Sequence, residues 1–185
     1  MRLILASASP RRKRLLEEAG ILFEARPTST DETPPRGVAP TEVAVELAVR
    51  KARAAEDGGA LVLAADTLID LDGEVLGKPH DVAEARRFLR TLSGRDHWVI
   101  TGVAVRRAQS LWTGFGRTQV TFRSLSDAEI DAYVATGEPM DKAGAYAIQG
   151  GAAGFVARVD GAMDNVVGLP MDVVRRLLRD AQAPG

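Results

Sequence analysis

Cysteine is absent from this 185-residue chain, and histidine occurs only as His80 and His97. The lack of cysteine excludes disulfides, thiolate nucleophiles and cysteine-ligated zinc, and it is compatible with a reducing compartment. The two histidines lie too far apart in the sequence to form a helical zinc-binding pair. Because His97 begins a strand-like stretch, we expect a structural or exposed imidazole there rather than a catalytic one.

A long hydrophobic run and a strong net charge are also missing. No apolar stretch approaches the roughly 18 residues of a membrane-spanning helix, so we expect no membrane partner. The formal net charge is -1 at pH 7, so any basic site must be local, and we expect no nucleic-acid partner. No signal peptide precedes the first strand-like run, and the predicted location is therefore the cytoplasm.

Helical and strand-like stretches are mixed along the whole chain. Strands are predicted from Leu3, over 60–65, in a hairpin of 68–71 and 74–76, over 97–105 and 111–122, and over 155–159. Helices are predicted from Pro10, over 41–56, and from Asp81, Ser126 and Leu169. This mixture predicts an α/β fold with a mixed central sheet.

The first predicted helix begins with a concentration of positive charge. Ser9 is a suitable N-cap and Pro10 a suitable first helical residue, but residues 11–14 are Arg, Arg, Lys and Arg. Cations in the first turn oppose the helix dipole, which favours anions there. Either a bound anion compensates for this placement or the cations form a solvated basic face, and the spacing does not decide between the two.

Lys51 and Asp66 are two further side chains that local patterns leave open. Lys51 falls within the apolar stripe of the second helix, where it either extends its stem along the surface or points its ammonium group into a cleft. Asp66 directly follows the predicted strand 60–65, where ligands bind in open α/β sheets. Its carboxylate could bind a divalent cation, deprotonate a water molecule or simply cap a turn.

The common nucleotide-binding motifs are missing, although the remaining polar residues suit a phosphate-rich ligand. The chain has neither a Walker A loop nor a G-x-G-x-x-G sequence after a strand. Besides Asp66, the polar residues whose positions are not explained by helix or strand spacing are Arg11, Arg12, Glu32, Lys51, Lys78, Lys142 and Gln149. Two carboxylates and several cations near the glycine-rich segment 138–154 predict a site for a metal-chelated polyphosphate.

Several short motifs follow one another in order along nearly the whole chain. They are Ser7-Ala8-Ser9-Pro10-Arg11-Arg12, Asp31-Glu32, Arg50-Lys51-Ala52, Ala65-Asp66-Thr67, Gly77-Lys78-Pro79, Leu92-Ser93-Gly94, residues 141–150 and residues 165–170. The ordered set resembles the Maf family of nucleoside triphosphate pyrophosphatases. That resemblance implies a single domain over residues 1–185. It also implies an α/β fold with a mixed central sheet in two lobes and a cleft between them, similar to the inosine triphosphate pyrophosphatases.

The resemblance also implies an activity and its residues. A nucleoside triphosphate is hydrolysed to its monophosphate and pyrophosphate with Mg²⁺ or Mn²⁺, which Glu32 and Asp66 hold, and Asp66 accepts the proton of the attacking water. The implied phosphate-binding residues are Ser7, Arg12, Lys51 and Lys78. The residues implied to select the base are Arg11, Thr67 and Gln149.

Residues 145–150, Ala-Tyr-Ala-Ile-Gln-Gly, resemble the subgroup that acts on dTTP and UTP. A glutamine amide offers a donor and an acceptor, which match the O4 and N3–H edge of uracil or thymine. We therefore expect a housecleaning enzyme for pyrimidine nucleotides, including modified ones. A homodimer is compatible with this expectation. Two alternatives stay open: a nucleotide-binding regulator of cell division with little hydrolysis, and a pyrophosphatase of the same fold with an inosine-type or 7-methyl-GTP preference.

Overall fold

The computed structural model describes residues 2–35 and 37–183. The strands are β1 (Leu3–Leu5), β2 (Glu24–Ala25), β3 (Leu61–Leu71), β4 (Glu74–Leu76), β5 (Asp96–Arg107), β6 (Ser110–Phe122) and β7 (Val156–Asp160). The α-helices are α1 (Pro10–Glu18), α2 (Pro40–Ala54), α3 (Val82–Leu92), α4 (Asp127–Ala135), α5 (Met163–Val167) and α6 (Met171–Gln182). Short 3₁₀ helices occur at Glu138–Asp141, Ala143–Ala145 and Gly151–Phe155.

The sheet is mixed, which confirms the predicted α/β class. Its strand order is β2-β1-β3-β5-β6-β7, with β4 paired to β3. Strand β1 runs parallel to β2 and β3, whereas the β3–β4 and β6–β7 pairs are antiparallel. Among the described residues, no helix is long and apolar enough to cross a membrane.

A first compact unit consists of the described residues of Met1–Thr67, Thr101–Gly116 and Gly168–Gly185. Alternate residues of β1 and β3 enter two different apolar clusters, since Leu63 and Ala65 join one cluster and Ala64 joins the other. Helix α6 contributes to the first cluster and helix α2 to the second. These strands are therefore buried on both faces, as the continuous apolar run 60–65 predicts.

Helix α2 lies unusually close to strand β5 in this unit. A Cβ atom at Gly102 would lie 2.2 Å from the carbonyl oxygen of Ala44, so no other residue type fits at that position without moving the helix. The close approach is possible because the face of α2 that meets the sheet is rich in alanine, with Ala44, Ala48 and Ala52 all buried. Lys51 is thereby brought towards the sheet.

A second compact unit consists of Leu68–Ile100 and Arg117–Val167. Its core surrounds Phe122, whose ring makes edge-to-face contacts with the rings of His97, Tyr146 and Phe155. Apolar side chains of α3 and α4 join the same cluster. This core supports the glycine-rich segment, because Ala145, Tyr146 and Ala152 belong to it.

The local start and turn signals are confirmed. Ser9 caps α1 and Pro10 is its first residue, Asp81 caps α3, and Ser126 opens α4 in a complete capping box. The β3–β4 hairpin turns at Asp72 and Gly73, where both residues have a positive φ, as a type I′ turn requires.

The predicted end of the third strand at Ala65 is wrong. Strand β3 continues through Asp66 and Thr67 to Leu71, which pairs with Glu74 of β4. Asp66 therefore lies within a strand and not beyond its end. A polar pair does not end a strand when the residues that follow are apolar, buried and paired with a neighbouring strand. Helix α5 was likewise not predicted, because its five residues are too few to show a helical period.

Candidate active site

The N-terminus of α1 carries the positive charge that the sequence places there. The Oγ atom of Ser9 accepts a hydrogen bond from the backbone N–H of Arg12 (3.4 Å), and the first turn contains no acidic residue. Arg14 is exposed and pairs with Glu18 (3.1 Å), which agrees with a solvated role. Lys13 is half-buried. The basic run thus contains side chains in different surroundings.

The side chain of Arg12 is held by three hydrogen bonds within the first unit. Its Nε–H donates to the carbonyl oxygen of Gly168 (2.8 Å), one terminal nitrogen donates to Ser7 Oγ (3.3 Å), and the other donates to Thr67 Oγ1 (3.1 Å). Thr67 Oγ1 also lies 2.9 Å from Thr101 Oγ1. Burial lowers the pKa of Arg12 below its ordinary value, while the nearby Asp66 carboxylate opposes that shift.

Arg11 differs sharply from its neighbour. Its Nε–H is buried and has no hydrogen-bond partner among the described residues. A buried guanidinium N–H without an acceptor costs free energy that a ligand acceptor would recover. The Nε–H of Arg11 is therefore an unused donor, whereas the Nε–H of Arg12 is engaged with Gly168.

Lys51 joins the two carboxylates that the sequence singled out. Its Nζ atom lies 2.5 Å from Asp66 Oδ1 and 2.7 Å from Glu32 Oε1. The side chains of Lys51 and Asp66 are only 11% and 13% exposed, whereas that of Glu32 is 43% exposed. Of the two alternatives for Lys51, the stem lying along a surface is wrong, because the ammonium group is directed inward at carboxylates.

Glu32 and Asp66 also fit a divalent cation. Because both carboxylates approach the same ammonium nitrogen, their oxygens converge on one position for a positive charge. Carboxylate oxygens are the ligands that Mg²⁺ prefers, and one or two of them usually suffice when substrate phosphates and water complete the shell. Over residues 2–35 and 37–183, no group of three or more His, Cys, Asp or Glu side chains that could hold a metal ion is found. Glu32 and Asp66 are the carboxylates that would hold such an ion, with phosphate oxygens and water completing its shell.

In the second unit, Lys78 and Lys142 lie on segments that are hydrogen-bonded to each other. The N–H of Gly144 donates to the carbonyl oxygen of Gly77 (2.9 Å), which ties the loop after β4 to the glycine-rich segment. Lys78 is exposed, whereas the Lys142 side chain is only 14% exposed and forms an ion pair with Asp141. Two cations are thus carried by adjoining pieces of backbone.

Gln149 is exposed and lies in a short segment with an anchor on each side. The N–H of Ala147 donates to Tyr133 Oη (3.0 Å), and the N–H of Gly151 donates to Glu138 Oε2 (2.9 Å). A Cβ atom at Gly150 would lie 2.2 Å from Glu138 Oε1, so the backbone passes close to this carboxylate. The backbone around Gln149 is therefore fixed although its side chain is accessible.

His97 has the structural role that was expected. The residue is 1% exposed, and its Nε2 atom shares a hydrogen bond of 2.8 Å with Tyr146 Oη. Burial lowers the pKa of His97 to about 4, so the imidazole is neutral at physiological pH. Burial also raises the pKa of Tyr146. This neutral pair anchors Tyr146, and with it residues 145–150, in the core of the second unit.

Some residues that hold these groups were missed by sequence reasoning. Thr101 lies within an apolar strand and looks like an ordinary β-branched strand residue, so no local signal distinguishes it. Gly168 belongs to a quoted motif, but only the fold shows that its carbonyl oxygen meets Arg12. In the sequence, Tyr133 looks like a residue on a helix face and Glu138 like a turn residue.

The predicted site residues of the first unit, by contrast, are brought together in two networks. Ser7, Arg12 and Thr67 form one network, and Glu32, Lys51 and Asp66 form the other.

Comparison with known proteins agrees with the motifs. The family model described as "Maf-like protein" matches residues 2–181. The "dTTP/UTP pyrophosphatase" of Anaeromyxobacter dehalogenans (strain 2CP-C) is 52% identical over 187 residues, covering 99% of this chain and 95% of the relative. The protein of the same name from Pelotomaculum thermopropionicum is 50% identical over 183 residues, covering 96% and 95%. That from Geobacter sulfurreducens is 52% identical, covering 96% of each.

Two solved structures resemble the fold at low sequence identity. A HAM1 protein from Coxiella burnetii has a TM-score of 0.53 at 16% identity, covering 99% of this chain and all of that chain. The Ham1 protein of Staphylococcus aureus has a TM-score of 0.54 at 13% identity, covering 98% of this chain and all of that chain. At such identities the likeness concerns the fold alone, and it agrees with the mixed α/β sheet.

Proposed function

This chain belongs to the Maf family, and from that membership we propose that it is a dTTP/UTP pyrophosphatase, a hydrolase that converts these nucleoside triphosphates to monophosphate and pyrophosphate. The observation that carries the proposal is the similarity, about half identical over nearly the whole chain, to relatives with that name. The charged groups of the first unit support it, because guanidinium, ammonium and carboxylate groups together suit a metal-bound triphosphate.

The proposed chemistry is an attack of water on the α-phosphorus. The water oxygen forms a bond to phosphorus, the bond from phosphorus to the bridging oxygen breaks, and pyrophosphate leaves with the electron pair. Asp66 accepts the proton of the water, and Lys51, 2.5 Å from Asp66 Oδ1, keeps that carboxylate in place. Arg12 and Lys51 stabilise the negative charge that develops on the leaving group.

The proposed cofactor is Mg²⁺ or Mn²⁺, held by Glu32 and Asp66. When bound, such an ion neutralises phosphate charge and polarises the bond to the leaving oxygen. The phosphate role of Lys78 and the base-selecting roles of Arg11, Thr67 and Gln149 stay predictions from the family resemblance. The unpartnered Nε–H of Arg11 supports a role in ligand contact.

Substrate choice, location and assembly complete the proposal. Gln149 is accessible to solvent, which supports contact with a base through its amide donor and acceptor. Modified pyrimidine nucleotides would present the same edge, which supports the housecleaning role. The cytoplasm and a homodimer stay predictions. A regulator that binds nucleotide without hydrolysis needs no proton acceptor, so the arrangement around Asp66 favours the enzyme.

Hydrolysis of a panel of nucleoside triphosphates in ¹⁸O-labelled water tests the proposal. We expect pyrophosphate as the product, ¹⁸O in the monophosphate, and faster turnover of dTTP and UTP than of dCTP, ATP, GTP, ITP or 7-methyl-GTP. Release of inorganic phosphate, or ¹⁸O in the pyrophosphate, would contradict attack at the α-phosphorus. Omitting the divalent ion, with a chelator present, is expected to stop turnover.

A further inference from the structure

We infer that Thr101 and Thr67 form a hydroxyl pair that orients Arg12 towards the triphosphate, so that Thr101 influences phosphate binding through Thr67 and Arg12. This inference rests on the proposed function, because it assigns Arg12 to the phosphates. Thr101 is the added positioning residue. The starting observation is the chain of contacts from Thr101 Oγ1 to Thr67 Oγ1 (2.9 Å) and from Thr67 Oγ1 to Arg12 (3.1 Å).

The guanidinium of Arg12 is fixed from several parts of the first unit. Ser7 follows β1, Thr67 lies on β3, and Gly168 precedes α6. Because each acceptor belongs to a different part of the chain, the plane of the guanidinium has one orientation that satisfies all three hydrogen bonds. A side chain held in this way loses little further rotamer freedom when a ligand binds.

Arg12 retains N–H donors beyond those used in the three contacts. An arginine side chain has five N–H donors, of which Nε carries one and each terminal nitrogen carries two. With one donor used on each of the three nitrogens, each terminal nitrogen retains one N–H. Free N–H donors of a guanidinium form charge-assisted hydrogen bonds with phosphate oxygens. The three hydrogen bonds thus leave Arg12 two donors for a phosphate group.

The hydroxyl of Thr67 takes part in both of these contacts. A hydroxyl has one hydrogen to donate and two lone pairs to accept with. Thr67 Oγ1 accepts from Arg12 and shares a hydrogen bond with Thr101, whichever of the two hydroxyls donates. The Thr67 hydroxyl thus links Thr101 to Arg12 and keeps one further donor or acceptor site, so the contact with Arg12 does not exclude the predicted role of Thr67 in base selection.

Thr101 is suited to fixing the direction of the Thr67 hydroxyl. It lies on β5 and is 0% exposed, so its own hydroxyl cannot turn away to bulk water. Replacing Thr101 by valine keeps the branched shape and removes the hydroxyl, which frees the Thr67 side chain to rotate away from Arg12. The expected consequence is a weaker hold on the triphosphate for every nucleotide alike.

The experiment compares Thr101→Val with Thr101→Ser, which keeps the hydroxyl. Inorganic tripolyphosphate is the probe, because it has the phosphates and no base, and its Kd is measured by calorimetry. Thr118→Val is the matched control, since Thr118 is also 0% exposed and its hydroxyl bonds the carbonyl of Ala162 in the second unit. KM values for dTTP, UTP and dCTP are measured on the same proteins.

We expect Thr101→Val to weaken tripolyphosphate binding about 10-fold and to raise all three KM values by the same factor, as for loss of one hydrogen bond to a charged group. Thr101→Ser and Thr118→Val should stay within about 2-fold of the wild type. An unchanged Kd for tripolyphosphate, or a changed ratio among the bases, would overturn the inference. A wild type without affinity for tripolyphosphate would overturn it as well.

The variants Thr67→Val and Thr67→Ser provide a second comparison, at a position that is half-buried and not fully buried. For tripolyphosphate the same pattern is expected: the valine variant loses affinity and the serine variant retains it. If the wild type binds tripolyphosphate through Arg12 but releases phosphate from dTTP, the proposed function fails while this inference holds. The two proposals are thus separated by product analysis.

Discussion

The first unit contains a network of charged side chains around Lys51 and Arg12, whereas the second unit contains a buried neutral network around His97 and Asn165. Lys51 faces two carboxylates and Arg12 lies next to Asp66 in electrostatic range. The second unit instead pairs the neutral imidazole of His97 with a tyrosine hydroxyl. Its Asn165 amide donates to the carbonyl of Val99 and to Thr118.

The difference separates groups that do chemistry from groups that hold the fold. Burying charge costs more free energy than burying a hydrogen-bonded neutral group, and a protein recovers that cost only where the charges bind something. Replacements in the charged network are therefore expected to change turnover more than stability. Replacements in the neutral network are expected to change stability more than turnover.

The largest effect is expected for Asp66→Asn. We expect kcat for dTTP to fall by about three orders of magnitude, because the amide cannot accept the proton of the attacking water. The free energy of unfolding in urea should change by no more than about 1 kcal/mol, since Asn has the same shape and Lys51 retains Glu32 as a partner.

Asp70→Asn is the matched control for Asp66→Asn. Asp70 lies on the same strand, is also buried, and accepts from the N–H of Gly73 (2.8 Å), which an asparagine oxygen can still do. Its turnover should equal that of the wild type. Full activity of Asp66→Asn would refute the role of Asp66 as the proton acceptor.

The next effect is a pH dependence of stability that comes from His97. The pKa of His97 is about 4 in the folded protein and about 6.5 in the unfolded chain. Between these values the unfolded chain binds a proton at this imidazole that the folded protein does not bind. Stability from this group is thus complete above pH 6.5 and is lost as the pH falls towards 4. Between pH 7 and 5 we expect a loss of about 2 kcal/mol in the free energy of unfolding.

Urea titrations of His97→Gln and His80→Gln at several pH values check this expectation. The slope between pH 7 and 5 should flatten in His97→Gln and persist in His80→Gln, because His80 is exposed. Measurements below pH 5 are avoided, since the lowered pKa of Glu129, about 2, adds its own loss of stability there. An equal slope in both variants would show that His97 is not the group responsible.

The smallest effect is expected for Gln149→Glu. The change removes the amide donor and adds a charge, so the preference for dTTP and UTP over dCTP should fall about 10-fold in kcat/KM. Stability should not change, because the side chain is exposed. Gln182→Glu adds the same charge at another exposed position and serves as the control. Equal ratios in both variants would exclude Gln149 from base selection.

Much of the fold was predictable because its signals are local. Capping by Ser9 and Ser126, the turn at Asp72-Gly73 and the alternation of strands and helices depend on neighbours within a few residues. The position of Asp66 was not predictable in the same way. Whether a strand ends or continues at a polar residue depends on its neighbours in the sheet, and β3 lies between β1 and β5, which are distant in sequence.

The candidate site shows the same division. The ordered motifs were sufficient to indicate the family, the reaction and most residues proposed to carry it. They could not decide between two orientations for Lys51, because its surroundings come from Glu32 and Asp66, which are distant in sequence. They also gave no sign of Thr101, whose hydroxyl matters only because folding places it beside Thr67.

The sequence by itself therefore determined the family of this protein, most of its elements, its basic helix start and its set of carboxylates and cations. Only the tertiary structure decided how those groups are paired. Pairing needs contacts between residues tens of positions apart, such as Arg12 with Gly168, and local patterns do not encode such contacts. The physical reason is that burial and hydrogen bonding are set by neighbours in space, which the chain acquires only on folding.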